Sequence, residues 1–232
     1  MRSNKHLTLP VIICILLLTA CSSQQISNSK QIQEYSAQTA ASVTFTPEQA
    51  IKKAEQKLLE AKSAALDFYA PVHLLQAQES ITQAREYLTN PPTEIRNASL
   101  MAAIAAQKYI EDAYKNKEAV ESVLNRALTH KKMLEDLNTP TLLVEDYESV
   151  INDLSELIKQ IELGEIAAAV DEQADILLSM SELEVSTLKI THLAEAERYF
   201  EKAEDINASK YAKSSYDNAE KVLKASNEFI QK

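Results

Sequence analysis

Apolar and small residues recur at steps of three and four along most of this chain, the spacing of one face of an α-helix. Ile51, Ala54, Leu58, Ala61 and Ala65 share such a face. The segment Thr46-Pro47-Glu48-Gln49 predicts where that helix starts. Thr46 caps, Pro47 suits the first helical position, and Gln49 reaches back to the Thr46 amide. Asp67 is the expected N-cap of the next helix, and Pro71 is harmless in its first turn, where the amides have no intrahelical partner. Leu74, Ala77, Ile81, Ala84 and Leu88 continue the spacing until Asn90-Pro91-Pro92 ends it. The pattern therefore predicts a helical hairpin over residues 47–89.

Nothing breaks the pattern over 94–137, which predicts one long helix of about 66 Å. Ala98, Ala102 and Ala105 give its first half a small face that lets a neighbour approach closely. Val120, Val123, Ala127, His130, Leu134 and Leu137 give its second half a strict three-four alternation, a seam for a neighbouring helix or for a second copy of the chain. Asn138-Thr139-Pro140 stops it. Tyr147, Val150, Leu154, Leu157 and Ile161 predict a helix over 143–163, with Gly164 as its left-handed cap. A second long helix is expected over 165–206 and a last one over 209–231, carrying Tyr216, Ala219, Leu223 and Ile230. The fold class is all-α: an elongated antiparallel bundle of about six helices, two of them long, filling residues 46–232. Residues 22–44 are rich in Ser, Gln, Asn and Thr without periodicity, and predict a flexible tether with an r.m.s. span of about 25–30 Å.

The two ends of the bundle resemble each other. A shift of 142 residues places Ala54-Glu55 on Ala196-Glu197, Ala61 on Ala203 and Tyr69-Ala70 on Tyr211-Ala212. The same shift places Ala77 on Ala219, Ile81 on Leu223 and Glu86 on Glu228. That offset is far longer than a tetratricopeptide unit of about 34 residues.

Composition narrows the chemistry. The only glycine of the 232 residues is Gly164, which excludes Gly-rich phosphate loops and dinucleotide fingerprints. A formal charge of −10 argues against binding a nucleic-acid backbone or lying on an anionic membrane surface. Of three histidines downstream of residue 20, His130 lies on the seam, His73 in a first helical turn where solvation is expected, and His192 three residues before Glu195. No Glu-x-x-His occurs, so no metal site and no cofactor is expected. The pairs Glu111-Asp112, Glu135-Asp136, Glu145-Asp146 and Asp171-Glu172 are adjacent and point about 100° apart on a helix, so they do not converge on one substrate. Lys131 and Lys132 are the expected partners of Glu135-Asp136, which the helix dipole disfavours at a C-terminus. Asn97-Ala98-Ser99 and Asn207-Ala208-Ser209 match a glycosylation sequon by accident, and Asn207 and Ser209 are better used at a helix boundary. Tyr69, Tyr87, Tyr199, Tyr211 and Tyr216 are candidates for a partner groove. No catalytic residues are expected.

The N-terminus carries an address. Arg2 and Lys5 precede an apolar run over 7–20, too short for a membrane span of about 20 residues and suited to a secretory signal. The run ends in Leu18-Thr19-Ala20-Cys21, which resembles the lipobox of bacterial lipoproteins. The resemblance implies cleavage between Ala20 and Cys21, diacylglycerol on the Cys21 thiol and an acylated amine (palmitate among the chains). Ser22 is not the Asp that retains such proteins in the inner membrane, so an outer-membrane protein facing the periplasm is implied. Cys14 leaves with residues 1–20, so no disulfide or Cys-ligated metal is available. Loss of Arg2 and Lys5 takes the charge from −10 to −12.

Tyr69-Ala70-Pro71, followed by Leu74, Ala77, Ile81 and Ala84, resembles a helical-hairpin module of Gram-negative envelope lipoproteins that sometimes precedes an OmpA-like domain. The resemblance covers 47–125 and recurs over 194–230, where Lys213 replaces the proline. No OmpA-like domain follows, so peptidoglycan binding is not implied by it. The expected function is that of a non-enzymatic, lipid-anchored scaffold or adaptor holding another envelope protein. A peptidoglycan- or small-ligand-binding module is the alternative.

Overall fold

The computed structural model describes residues 26, 28–93, 95 and 97–230, and every regular element among them is α-helical. The expected signal over 1–20, the lipidation site Cys21 and the start of the helix expected at 94 lie outside the described residues.

One connection, used three times, organises the chain. α2 (Pro47–Ser63) runs to Ala65, which takes a left-handed conformation with φ 58°. The one-turn helix α3 (Leu66–Tyr69) follows, then Ala70 at φ −155° and ψ 57°, and then α4 (Pro71–Thr89). The same sequence of conformations joins α6 (Asn125–Asp136) through Asn138, α7 (Thr139–Leu142) and Leu143 to α8 (Val144–Glu162). It joins α10 (Ala194–Asp205) through Asn207, α11 (Ala208–Tyr211) and Ala212 to α12 (Lys213–Ile230). Asn138 has φ 62° and Asn207 φ 57°, a region that Asn visits at small cost and Ala65 at larger cost. Asp67, expected to cap, sits exposed inside the turn instead, because the left-handed residue before it already breaks the first helix. The expected Thr46–Gln49 capping box is present, with both reciprocal bonds made.

The unit repeats at shifts of 73 and then 69 residues, marked by the left-handed residues 65, 138 and 207. Together these make the 142-residue offset seen between the ends. The middle hairpin departs from the other two in its cross-hairpin side chains. Glu55 bonds Arg85 across the first hairpin at 2.6 Å, and Glu197 accepts from Asn227 at 3.2 Å across the third. The middle hairpin places Leu128 and Ile158 at those positions, both in its apolar core.

Two units are closed by a third helix. α5 (Ala98–Val123) runs parallel to α2 and covers the α2–α4 hairpin, burying Ala54, Ile81 and Ala106 together. α9 (Ile166–His192) does the same for α6 and α8, through Ala169, Ile176, Met180 and Leu183. Gly164, at φ 90°, ends α8 as expected, and the Glu165 amide returns to the Gln160 carbonyl at 2.8 Å.

Both long helices expected from the sequence are broken. The first kinks at Leu124 between α5 and α6, the second at Leu193 between α9 and α10. Neither break has a glycine or proline. At the first, the Gln173 side chain of α9 donates to the Val123 carbonyl at 2.9 Å, a side chain inserted into the helical ladder. The two breaks occupy equivalent positions, each turning the covering helix of one unit into the first helix of the next. The seam of Val120, Ala127 and Leu134 is buried inside the second unit, so it is not free for a second copy.

The tether also differs. Part of it forms α1 (Ser29–Ser42), whose buried face is Ser29, Ile32, Ser36 and Ala40. That stripe is mostly small and hydroxylic, so it does not read as hydrophobic. Ser36 donates to the Ile32 carbonyl at 2.6 Å, which lets its side chain lie against the core without an unpaired hydroxyl. Ile26 and Ile32 pack against Tyr109, Ile110 and Ala113 of α5. Asn28 donates to Asp112 at 3.0 Å. Burial acts to raise the Asp112 pKa, but Lys108 and Lys115, at 2.7 and 2.8 Å, outweigh it and hold the carboxyl below its ordinary range.

A tyrosine clips two of the hairpins. Tyr147 donates to Glu135 at 3.2 Å and Tyr216 to Glu204 at 2.7 Å, the same pair one unit later. Lys131 also meets Glu135, at 2.5 Å, as expected for a carboxylate at a helix C-terminus. Burial first, then the Glu135 charge, pushes Tyr147 up to about 12. The bond to Glu204 leads in pushing Tyr216 up to about 12. Both values lie above the ordinary tyrosine pKa, so the clips stabilise fully below about pH 10 and are lost as pH rises through about 12. In an absorbance titration, Tyr147→Phe and Tyr216→Phe should each remove one phenol from the late-ionising class. An unchanged late class in either variant would show that the clip does not form.

Candidate functional site

Among the described residues no helix covers the third hairpin. No residue of α10, α11 or α12 is buried, although both long helices carry an apolar stripe. Its inner face is a hollow of about 600 Å³ between α10 and α12, lined by Leu193, Ala196, Phe200, Ala203, Ala219, Val222, Leu223 and Ser226. A second hollow of about 750 Å³ continues it between α12 and the end of α9, past Leu188 and Phe229. Tyr199 is 57 % and Phe229 81 % exposed.

The five candidate tyrosines do not share this groove. Tyr199 lines it, and Tyr216 props it from below, its ring 4.8 Å from that of Phe200. Tyr211 is exposed on the connection. Tyr69 stacks edge-on against Phe68 at 5.1 Å, under the Lys117 ammonium at 4.8 Å. Tyr87 accepts from Gln83 and lines a separate hollow with Ile95 and Met101. Aromatic type alone was therefore a poor guide. The better signal was the run of alanines that the 142-residue shift superimposes.

His73 corrects an expectation. It is buried, because Glu162 at the end of α8 reaches across from the second unit to the first turn of α4. The Glu162 carboxylate accepts from the Val72 amide at 3.0 Å and the His73 amide at 2.5 Å, and lies 2.6 Å from His73 Nδ1. Pro71 has no amide hydrogen, so these are the first free donors of α4. The arrangement is a helix cap supplied by another unit. His130 is satisfied by Glu184 at 3.0 Å. Glu195 pairs with Arg198 rather than His192. Among the described residues no three His, Cys, Asp or Glu side chains gather as a metal-binding group, and no helix is long and apolar enough to cross a membrane.

Comparisons with protein-family models, with curated proteins and with solved structures returned no match to this chain. The informative comparison is internal, between the open third unit and the two closed ones.

Proposed function

We propose that this protein is a non-enzymatic, lipid-anchored helical adaptor, held at the outer membrane facing the periplasm. The observation that carries the reading is the open apolar face of the third hairpin, beside two units of the same construction that are closed. Two closed units make a stiff body, and the third offers a surface built for another chain. The lipobox-like Leu18-Thr19-Ala20-Cys21 supports the anchor. Each buried CH₂ of an attached acyl chain contributes about 0.8 kcal/mol to membrane binding, so several chains hold durably. The acidic body is repelled by anionic headgroups and so stays clear of the surface.

Cys21→Ser in the full chain tests the anchor. The variant should move from the membrane pellet to the soluble fraction with an unchanged thermal unfolding midpoint. A variant that still pellets with membranes overturns the lipid-anchored reading.

A further inference from the structure

We propose that the groove of the third hairpin takes a single amphipathic α-helix of another protein, lying parallel to α10 and presenting the pattern Ala-x-x-x-Gln-x-x-Ile. The inference rests on the adaptor reading and names the partner's chemistry. Its basis is that the chain shows twice what covers this face.

In the first unit Ala54, Ala61, Ala77 and Ala84 are 0 % exposed beneath α5. A shift of 142 turns them into Ala196, Ala203, Ala219 and Ser226, which line the open groove. The second unit buries Ala127, Leu134, Val150 and Leu157 at the same four positions, beneath α9. Small side chains at the third set let a helix backbone approach closely, as α5 approaches α2 and α4.

A hydrogen bond gives the register. Gln107 of α5 donates to the Ala50 carbonyl at 3.3 Å, and Gln173 of α9 donates to the Val123 carbonyl at 2.9 Å. Ala50 and Val123 are equivalent residues, one position before Ile51 and the kink residue Leu124. The third member of the set is His192, before the kink residue Leu193. Among the described residues nothing donates to the His192 carbonyl, which lies at the rim of both hollows. Around the two glutamines the covering helices agree further: Ala103 and Ala169 precede them by four residues, and Ile110 and Ile176 follow by three. All four are buried. An occupant with that pattern places its alanine and isoleucine on the groove floor and its amide on the His192 carbonyl, a helix-in-groove mode of recognition.

A second copy fits less well. Docking through its own α10–α12 hairpin brings no glutamine, since residues 194–230 contain none. The helices of a second copy that carry the full Ala-x-x-x-Gln-x-x-Ile pattern, α5 and α9, are already engaged in closing its own units.

The test uses a fluorescent peptide with the sequence of residues 98–123, titrated with the purified full chain and followed by anisotropy. Saturable binding of one peptide per chain is expected. Replacing the peptide's glutamine by leucine (Gln107→Leu) should weaken binding about two- to tenfold, the worth of one hydrogen bond. Ala219→Glu in the chain, at an exposed position, should weaken it more than about tenfold by placing an unpaired carboxylate under the peptide. The proposal is overturned by absence of saturable binding, or by binding indifferent to Ala219→Glu. It is equally overturned if light scattering shows a dimer that Ala219→Glu dissociates, for then a second copy fills the groove. None of these outcomes depends on where the Cys21→Ser variant fractionates, so failure of the anchor and failure of the groove are read separately.

Discussion

Glu162→Ala should destabilise the protein by about 3–5 kcal/mol, because it leaves several buried polar groups without their shared acceptor, each worth about 1–3 kcal/mol. The Glu162 side chain is 0 % exposed. Its removal leaves the Val72 and His73 amides and the His73 ring without the acceptor they share, in a place water does not reach. It also takes a negative charge from the positive end of the α4 dipole. For a chain of this size the unfolding midpoint should fall by roughly 10 °C. Glu162→Gln should cost less, because its remaining carbonyl oxygen still accepts from the helix end while its amide turns donors toward donors. The effect should be local as well as global. Amide hydrogen exchange at Val72 and His73 should accelerate ahead of the α5 core, since the bond ties the first unit to the second. A loss below about 1 kcal/mol would show that α4 finds its cap elsewhere.

Sequence pattern made the helices legible and left their joints obscure. Thr46 to Gln49 announced a start and Gly164 an end, because capping is written in the residues that perform it. The kinks at Leu124 and Leu193 are not so written. Each falls inside an unbroken three-four pattern and depends on which core the helix faces on either side, information held by distant residues such as Gln173. α1 was missed for a related reason: Ser29 and Ser36 are buried by packing against α5, yet score as polar. His73 looked solvated because its partner lies 89 residues away on another helix. The groove was half legible. The superimposed alanines marked equivalent faces, but only the packing of α5 and α9 reveals that two of those faces are covered and one is not.

That difference predicts opposite outcomes for one substitution made at two equivalent positions. Ala77→Glu drives a carboxylate into the interface with α5, where Tyr109, Ile110 and Ala113 leave neither room nor a partner. Burial of an unpaired charge combined with overpacking should cost more than about 4 kcal/mol, a large share of the roughly 5–15 kcal/mol that holds a typical protein folded. Ala219→Glu, its equivalent in the third unit, stays in water and should change stability by no more than about 0.5 kcal/mol. Ala54→Glu and Ala196→Glu form a second such pair, buried against exposed. Denaturant midpoints of the four variants decide the matter. If Ala196→Glu and Ala219→Glu destabilise as their counterparts do, the third hairpin is already covered in the free protein and has no face to offer. If they leave the fold intact, any loss of peptide binding they cause belongs to the groove itself, because the body that presents it is unchanged.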